Sequence, residues 1–225
     1  MSAARSVVPK VVVVDYGRGN LWSVCQAVAA VGGEPRLSTE PAVVRAADQL
    51  ILPGVGAFGD AMEGLQARGL DEAVLAFAST GRPLLGVCLG MQLLLEASTE
   101  FGHHPGLGLI PGRVDRLPAP TASARGTIRS YKIPNVGWCR LEPSAGGAPW
   151  AESLFAAVKP GDFAYFVHSY GAHPADPRHR LADIDLGGVP VSAAITAGPI
   201  TGCQFHPEKS GEVGLAILRA FVARG

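Results

Sequence analysis

With 225 residues, 48% of them hydrophobic and only 17% charged, the chain is long enough to bury a substantial core. Nineteen Lys and Arg balance nineteen Asp and Glu, so there is no electrostatic footprint for nucleic acid or an acidic membrane surface. Cys25, Cys88, Cys139 and Cys203 lie far apart without a Cys-x-x-Cys pair, which argues against a clustered zinc site and against a disulfide framework.

Residues 1–10 lack the apolar stretch of a signal peptide and read as a flexible tail. The expected location is therefore the reducing cytoplasm. Residues 11–14 are an unbroken valine run, too short to span a membrane and suited to a strand buried on both faces. Leu21, Val24, Cys25, Val28 and Val31 then recur at helical spacing and stop at Gly32-Gly33. A strand over 49–52, helices over 60–67 and 70–78, a strand over 84–87 and a helix over 89–97 follow. Strands alternating with helices predict an α/β fold, a mostly parallel sheet covered on both faces. After about Gly102 the pattern shifts to short strands over 112–117, 133–141, 163–167, 180–185, 191–196 and 200–204. Loops are expected at 118–130 and 143–149, and an amphipathic helix at 211–223 closes the chain. No repeat or linker divides it, so the expectation is one α/β domain with antiparallel strands in its second half.

Two glycine-rich turns need weighing. Gly17-Arg18-Gly19-Asn20 lacks the third glycine of a dinucleotide fingerprint, with Trp22 in that place, and a bulky residue there opposes close helix–strand packing. The segment 53–59 has no Gly-Lys-Ser/Thr and is not a P-loop.

Gly86-x-Cys88-x-Gly90 is the cysteine form of a nucleophile elbow. The glycines remove side chains that a strained strand-to-helix turn would clash with. Cys88 then sits at a helix N-terminus, which favours a thiolate, and the Leu89 N–H points where an oxyanion forms. The alternative for Cys88 is a buried structural thiol. His206 follows an apolar strand and precedes Pro207, which holds it extended and puts His206 and Glu208 on one side. A carboxylate there fixes the imidazole for a Cys-His-Glu triad; the alternative is a strand-capping histidine beside a solvated glutamate. His168 is the competing base, although no carboxylate follows it at His-x-Glu spacing.

Together these segments resemble the class I (triad) glutamine amidotransferases, from residue 11 to about residue 221. Cys88-Leu89-Gly90-Met91-Gln92 matches the family's nucleophile motif, His206-Pro207-Glu208 its other triad members, and Pro53-Gly54-Val55-Gly56 its oxyanion strand. Asp15-Tyr16-Gly17-x-Gly19-Asn20-Leu21, Ala57-Phe58, Val136-Gly137-Trp138, Tyr165-Phe166-Val167-His168-Ser169-Tyr170 and Lys209-Ser210 are similar to the branch that supplies imidazole glycerol phosphate synthases. That branch commonly has Pro-His-Met-Gly-Trp-Asn where this chain has Pro134-Asn135-Val136-Gly137-Trp138-Cys139.

The resemblance implies a flavodoxin-like fold, no metal and no cofactor. It implies hydrolysis of L-glutamine by Cys88, His206 and Glu208, with an oxyanion hole of Val55, Gly56 and Leu89. Gly54, Gln92, Glu100, Ser169 and Tyr170 would hold the substrate, with Glu96 as the alternative to Glu100 for its ammonium group. The implied partner is a (β/α)8-barrel synthase subunit in a heterodimer, which takes the ammonia through its interior. Asn20, Trp138, Tyr165 and Lys209 would line or flank that interface, and His168 would order the backbone at 169–170. Because Gly54 and Gly56 flank Val55, its peptide is expected to rotate, leaving the oxyanion hole incomplete until the partner binds. A peptidase or γ-glutamyl hydrolase using the same triad, another amidotransferase's glutaminase, and a non-enzymatic scaffold are the alternatives. Turnover of peptide or γ-glutamyl substrates without a synthase marks the hydrolases, and an unreactive Cys88 marks the scaffold.

Overall fold

The computed structural model of the chain describes residues 10–119 and 131–225. The expected tail, Lys10 aside, and most of the expected 118–130 loop lie outside the described residues. In chain order, β1 (Lys10–Val14), α1 (Leu21–Ala30), β2 (Glu34–Ser38), α2 (Pro41–Arg45) and β3 (Gln49–Gly54) lead to α3 (Phe58–Gln66) and α4 (Leu70–Ala78). β4 (Leu84–Cys88) then runs straight into α5 (Leu89–Leu93). The second half holds β5 (Ala97–Ser98), β6 (His104–Pro105), β7 (Gly112–Arg116), β8 (Asn135–Arg140), β9 (Glu142–Pro143) and β10 (Phe163–His168). It continues through β11 (Tyr170–Pro174), β12 (Arg180–Leu186), β13 (Val189–Ala197) and β14 (Ile200–Cys203) to α6 (Gly211–Val222).

The main sheet has the order β2-β1-β3-β4-β14-β13-β12-β9. Strands β2, β1, β3, β4 and β14 are parallel neighbours; β13, β12 and β9 join them antiparallel. The valine run of β1 has no polar alternation because both of its faces are covered. Val11 and Val13 join Ile51 and Leu85 in a core with Val24 and Val28 of α1 and Leu218 and Phe221 of α6. Val12 and Val14 join Leu50 and Leu52 in a second core with Phe58 and Leu65 of α3 and Phe77 of α4. The sheet is thus an α/β layer of flavodoxin type, as expected from the alternation of elements. Two smaller antiparallel arrangements flank it: the β8–β10 pair, and a four-stranded sheet of order β11-β7-β5-β6 in which only β5 and β7 run parallel.

The fold departs from the sequence reading at several elements. β2 and α2 were not anticipated: Glu34-Pro35-Arg36-Leu37-Ser38 has the polar, proline-containing character of an edge strand and carries no apolar run. β11, with Gly171, His173 and Pro174, was missed for the same reason. The helix expected over 89–97 stops at Leu93. The carbonyls of Leu93, Leu94 and Leu95 accept from the N–H groups of Leu107, Ile110 and Gly108 at 2.9–3.0 Å, so the chain turns away and enters β5. Trp22 is 72% exposed and points away from the helix–strand contact, so its bulk is not what separates the Gly17–Asn20 turn from a dinucleotide site. Among the described residues no helix is long and apolar enough to cross a membrane.

Candidate active site

Parallel strands β3, β4 and β14 end side by side, and open α/β sheets bind ligands at such carboxyl ends. Gly54 pairs with Cys88, and Cys203 pairs with Val87, so the segments that follow these strands converge. They line a cleft of about 390 Å³ with Val55, Gly56, Cys88, Leu89, Gln92, Glu100, Pro134, Val167, His168, Ser169, Tyr170 and His206 on its wall.

Cys88 stands at the turn from β4 into α5 with φ 56° and ψ −112°, a conformation that costs an L-residue of order 1–3 kcal/mol. The elbow persists because its neighbours leave it no alternative. A Cβ on Gly90 would lie 1.7 Å from the Leu52 carbonyl oxygen, and one on Gly54 would lie 2.4 Å from the Tyr16 hydroxyl. Gly90→Ala is therefore expected to destabilise the fold by about 3 kcal/mol or more. A urea denaturation curve matching the parent's would contradict this close approach.

The Cys88 thiol is nearly covered, 4.0 Å from the Val167 carbonyl oxygen and 3.8 Å from Nε2 of Gln204. His206 is set by a run of buried rings: Phe205 meets Phe166 at 5.6 Å and Phe155 at 6.2 Å. After His206 the chain does not continue extended, as proline alone suggested. It makes a 3₁₀ turn over Pro207–Lys209 that brings the Glu208 carboxylate back to the imidazole. Nδ1 of His206 and Oε1 of Glu208 are 2.8 Å apart, both side chains being buried. Nε2 of His206 has no hydrogen-bond partner among the described residues, and His206 shares the cleft with the thiol. Burial penalises the imidazolium, but the facing Cys88 and Glu208 outweigh it and push the His206 pKa up to about 9.

His168 is a different histidine in kind. Its Nδ1 is 2.8 Å from the Tyr170 carbonyl oxygen and its Nε2 is 3.1 Å from the Asn135 amide nitrogen. These partners make Nδ1 the donor and Nε2 the acceptor, a fixed neutral tautomer. Burial, only partly offset by the Tyr170 carbonyl, lowers its pKa to about 4. It clamps the backbone at 169–170.

Gln92 Nε2 donates to the Tyr170 carbonyl at 3.1 Å and to Gln204 Oε1 at 2.9 Å. Glu100 lines the cleft and accepts from the Phe58 N–H at 2.7 Å. Glu96, expected on the same helix as Gln92, lies beyond the helix end, accepts from the Gly112 N–H at 2.8 Å and borders a separate depression with Arg113 and His173. The shorter α5 therefore takes Glu96 out of the cleft. Trp138 and Tyr165 meet as a cross-strand pair on β8 and β10, ring centroids 5.9 Å apart, and Trp138 is 54% exposed. Lys209 is exposed on the turn after Glu208; Asn20 is half-buried at the start of α1, which packs against that turn.

Sequence reading left out Asn135, Gln204 and Tyr16. Asn135 holds His168, Gln204 bridges Gln92 and the thiol, and Tyr16 places against Gly54 a buried hydroxyl with no partner among the described residues. The departure at Asn135 from the family pattern was the one signal available for it. Burial raises the thiol pKa values of Cys25, Cys139 and Cys203 above the ordinary cysteine value. Among the described residues, no group of three or more His, Cys, Asp or Glu is arranged to hold a metal ion.

Residues 12–224 match the family described as glutamine amidotransferase class-I. The imidazole glycerol phosphate synthase subunit HisH 1 of Legionella pneumophila (strain Lens) is 44% identical over 210 residues, 93% of this chain and 97% of that protein. The HisH subunit of Symbiobacterium thermophilum is 46% identical over 209 residues, 93% of this chain and 91% of that protein. Among solved structures, PurLQS from Thermotoga maritima superposes with a TM-score of 0.70 at 20% identity, covering 96% of this chain and 99% of that one. The glutaminase domain of Trypanosoma brucei CTPS with bound acivicin gives 0.62 at 16% identity, covering 97% and 95%. At these identities the two structures speak for the fold alone.

Proposed function

The chain belongs to the class I glutamine amidotransferase family, and from that premise we propose that it is the glutaminase subunit of an imidazole glycerol phosphate synthase, serving histidine biosynthesis. Its whole described length folds as one domain for this task. Cys88 attacks the side-chain amide carbon of L-glutamine, and the oxyanion that forms is met by the Leu89 N–H and by the main chain at Val55 and Gly56. The imidazolium of His206 gives its proton to the leaving nitrogen, and ammonia departs from a glutamyl thioester. Water, deprotonated by His206, attacks the thioester; glutamate leaves and the thiol is restored. Glu208 keeps the imidazole oriented throughout and stabilises its charged form in each step where it carries the extra proton.

The observation that carries this reading is the buried His206–Glu208 pair, with the free Nε2 turned into the cleft that holds the strained Cys88. The substrate roles follow from what each group has left to offer. One Glu100 oxygen is bound to the Phe58 N–H, so the other is available to an α-ammonium group. Both Gln92 N–H groups are committed to protein acceptors, which leaves its carbonyl oxygen for the substrate. Gly54 and the main chain of Ser169 and Tyr170, fixed by His168, complete the cradle.

The ammonia goes to a (β/α)8-barrel synthase subunit, the partner in a heterodimer, with Asn20, Trp138, Tyr165 and Lys209 at the junction. The Val55 peptide rotates when that partner and its ligand bind, completing the oxyanion hole. Trp138→Ala is expected to weaken association by about 2 kcal/mol, roughly thirty-fold, as read by calorimetric titration with the synthase subunit. The function itself is tested by mixing chain and synthase with glutamine as sole nitrogen source. Product formation with glutamine is expected, and product with free ammonia only would reject the reading.

A further inference from the structure

A serine directly before a helix ordinarily accepts a hydrogen bond from an N–H two or three residues ahead. Ser210 stands at that position before α6, and its side chain makes no such cap. Its hydroxyl instead donates to the His206 carbonyl oxygen at 2.7 Å and accepts from the Tyr165 N–H at 3.0 Å. The His206 N–H in turn donates to the Tyr165 carbonyl oxygen at 3.0 Å. Three hydrogen bonds thus close a ring through residues 165, 206 and 210, and Ser210 is buried within it.

The ring has two ends. On one side Glu208 holds Nδ1 of His206 while Nε2 has no hydrogen-bond partner among the described residues, so the direction of Nε2 also depends on where its main chain sits. On the other, β10 runs from Tyr165, in ring contact with the half-exposed Trp138, to Val167, whose carbonyl oxygen is 4.0 Å from the Cys88 sulfur. We propose that Ser210 is a positioning residue, diverted from capping α6 so that its hydroxyl ties the main chain of His206 to the strand bearing the Trp138–Tyr165 pair. Through this tie a protein seated on that pair sets the aim of the imidazole at Cys88. The second statement rests on the glutaminase reading above; the tie itself does not.

Ser210→Ala removes both bonds of the hydroxyl, whereas Ser210→Thr keeps a hydroxyl at the same place. With glutamine and the synthase present, the alanine variant is expected to lose about ten- to a hundred-fold in kcat, the scale of a misplaced catalytic group, with KM within about two-fold. The threonine variant is expected to recover most of that loss. A folded Ser210→Ala protein with parental kcat overturns the proposal. Should the alanine variant fail to fold, Ser210→Cys, similar in size and a weaker donor, is read in the same way. Alkylation of Cys88 by iodoacetamide needs neither glutamine nor partner and is expected to slow in Ser210→Ala by a similar factor. Slowed alkylation in a chain whose parent hydrolyses no glutamine even with the synthase and its ligand present would reject the glutaminase reading and keep the tie; unchanged alkylation with parental kcat would reject the tie alone. Adding synthase is expected to change the alkylation rate several-fold in the parent and less in Ser210→Ala, and an equal change in both would overturn the link to the docked protein.

Discussion

Cys88→Ala is expected to abolish glutamine-dependent synthesis, with a loss on the order of 10⁴-fold or more, and to leave ammonia-dependent synthesis intact. The magnitude follows from removing a covalent nucleophile whose base and oxyanion donors have nothing else to act on. The selectivity follows from position: Cys88 lies in the cleft with His206, while Trp138 and Tyr165 lie on the open face of the β8–β10 pair. Alanine also relieves nothing of the strained backbone at φ 56°, so the elbow itself is expected to stay folded. The measurement is product formation with each nitrogen source at equal synthase concentration. Equal loss of both activities would contradict a separation between ammonia production and its use.

Glu208→Gln is expected to lower glutamine turnover by about 10²- to 10⁴-fold, in the range seen when the orienting carboxylate of a triad becomes an amide. It also predicts a change in pH dependence whose sign can be worked out. His206 keeps its proton up to about pH 9, and the leaving nitrogen takes that proton. Turnover should therefore fall as pH rises through about 9. Glu208 is one of the groups that raise this pKa, so its neutralisation moves the alkaline limb of kcat/KM to lower pH. Folding stability carries the same sign, because the folded pKa lies above the ordinary histidine value of 6.5. The contribution of His206 is fully present below that ordinary value and is lost as pH rises through about 9. In Glu208→Gln that contribution should be smaller and its loss complete at lower pH. An alkaline limb that stays in place would mean that another group sets it.

The parts of the fold that were legible in sequence are those where one physical requirement dominates. The valines of β1 are apolar on every position because both sheet faces are covered, and the glycines around Cys88 are demanded by backbone atoms at sub-contact distances. β2 was not legible, since an edge strand needs no apolar run, and the end of α5 was set by acceptors supplied to residues 107–110 rather than by any local stop signal. That same boundary leaves Glu100, the residue preferred from the family spacing, on the wall of the cleft and Glu96 outside it. In the site, Cys88, His206 and Glu208 announce themselves by motif. The roles of Asn135, Gln204 and Ser210 are not legible in sequence, because each has a partner that lies 33, 112 or 45 residues away and only the folded chain brings them together.

The most direct test of the triad is covalent labelling with a glutamine-derived chloroketone in the presence of the synthase subunit, followed by peptide mapping. The electrophile reports the nucleophile, the base that activates it and the cradle that admits glutamine in one readout. The expected result is a single adduct on Cys88, blocked by excess glutamine and slowed strongly in His206→Asn. An unlabelled Cys88, or labelling spread over Cys25 and Cys139 without protection by glutamine, would contradict it.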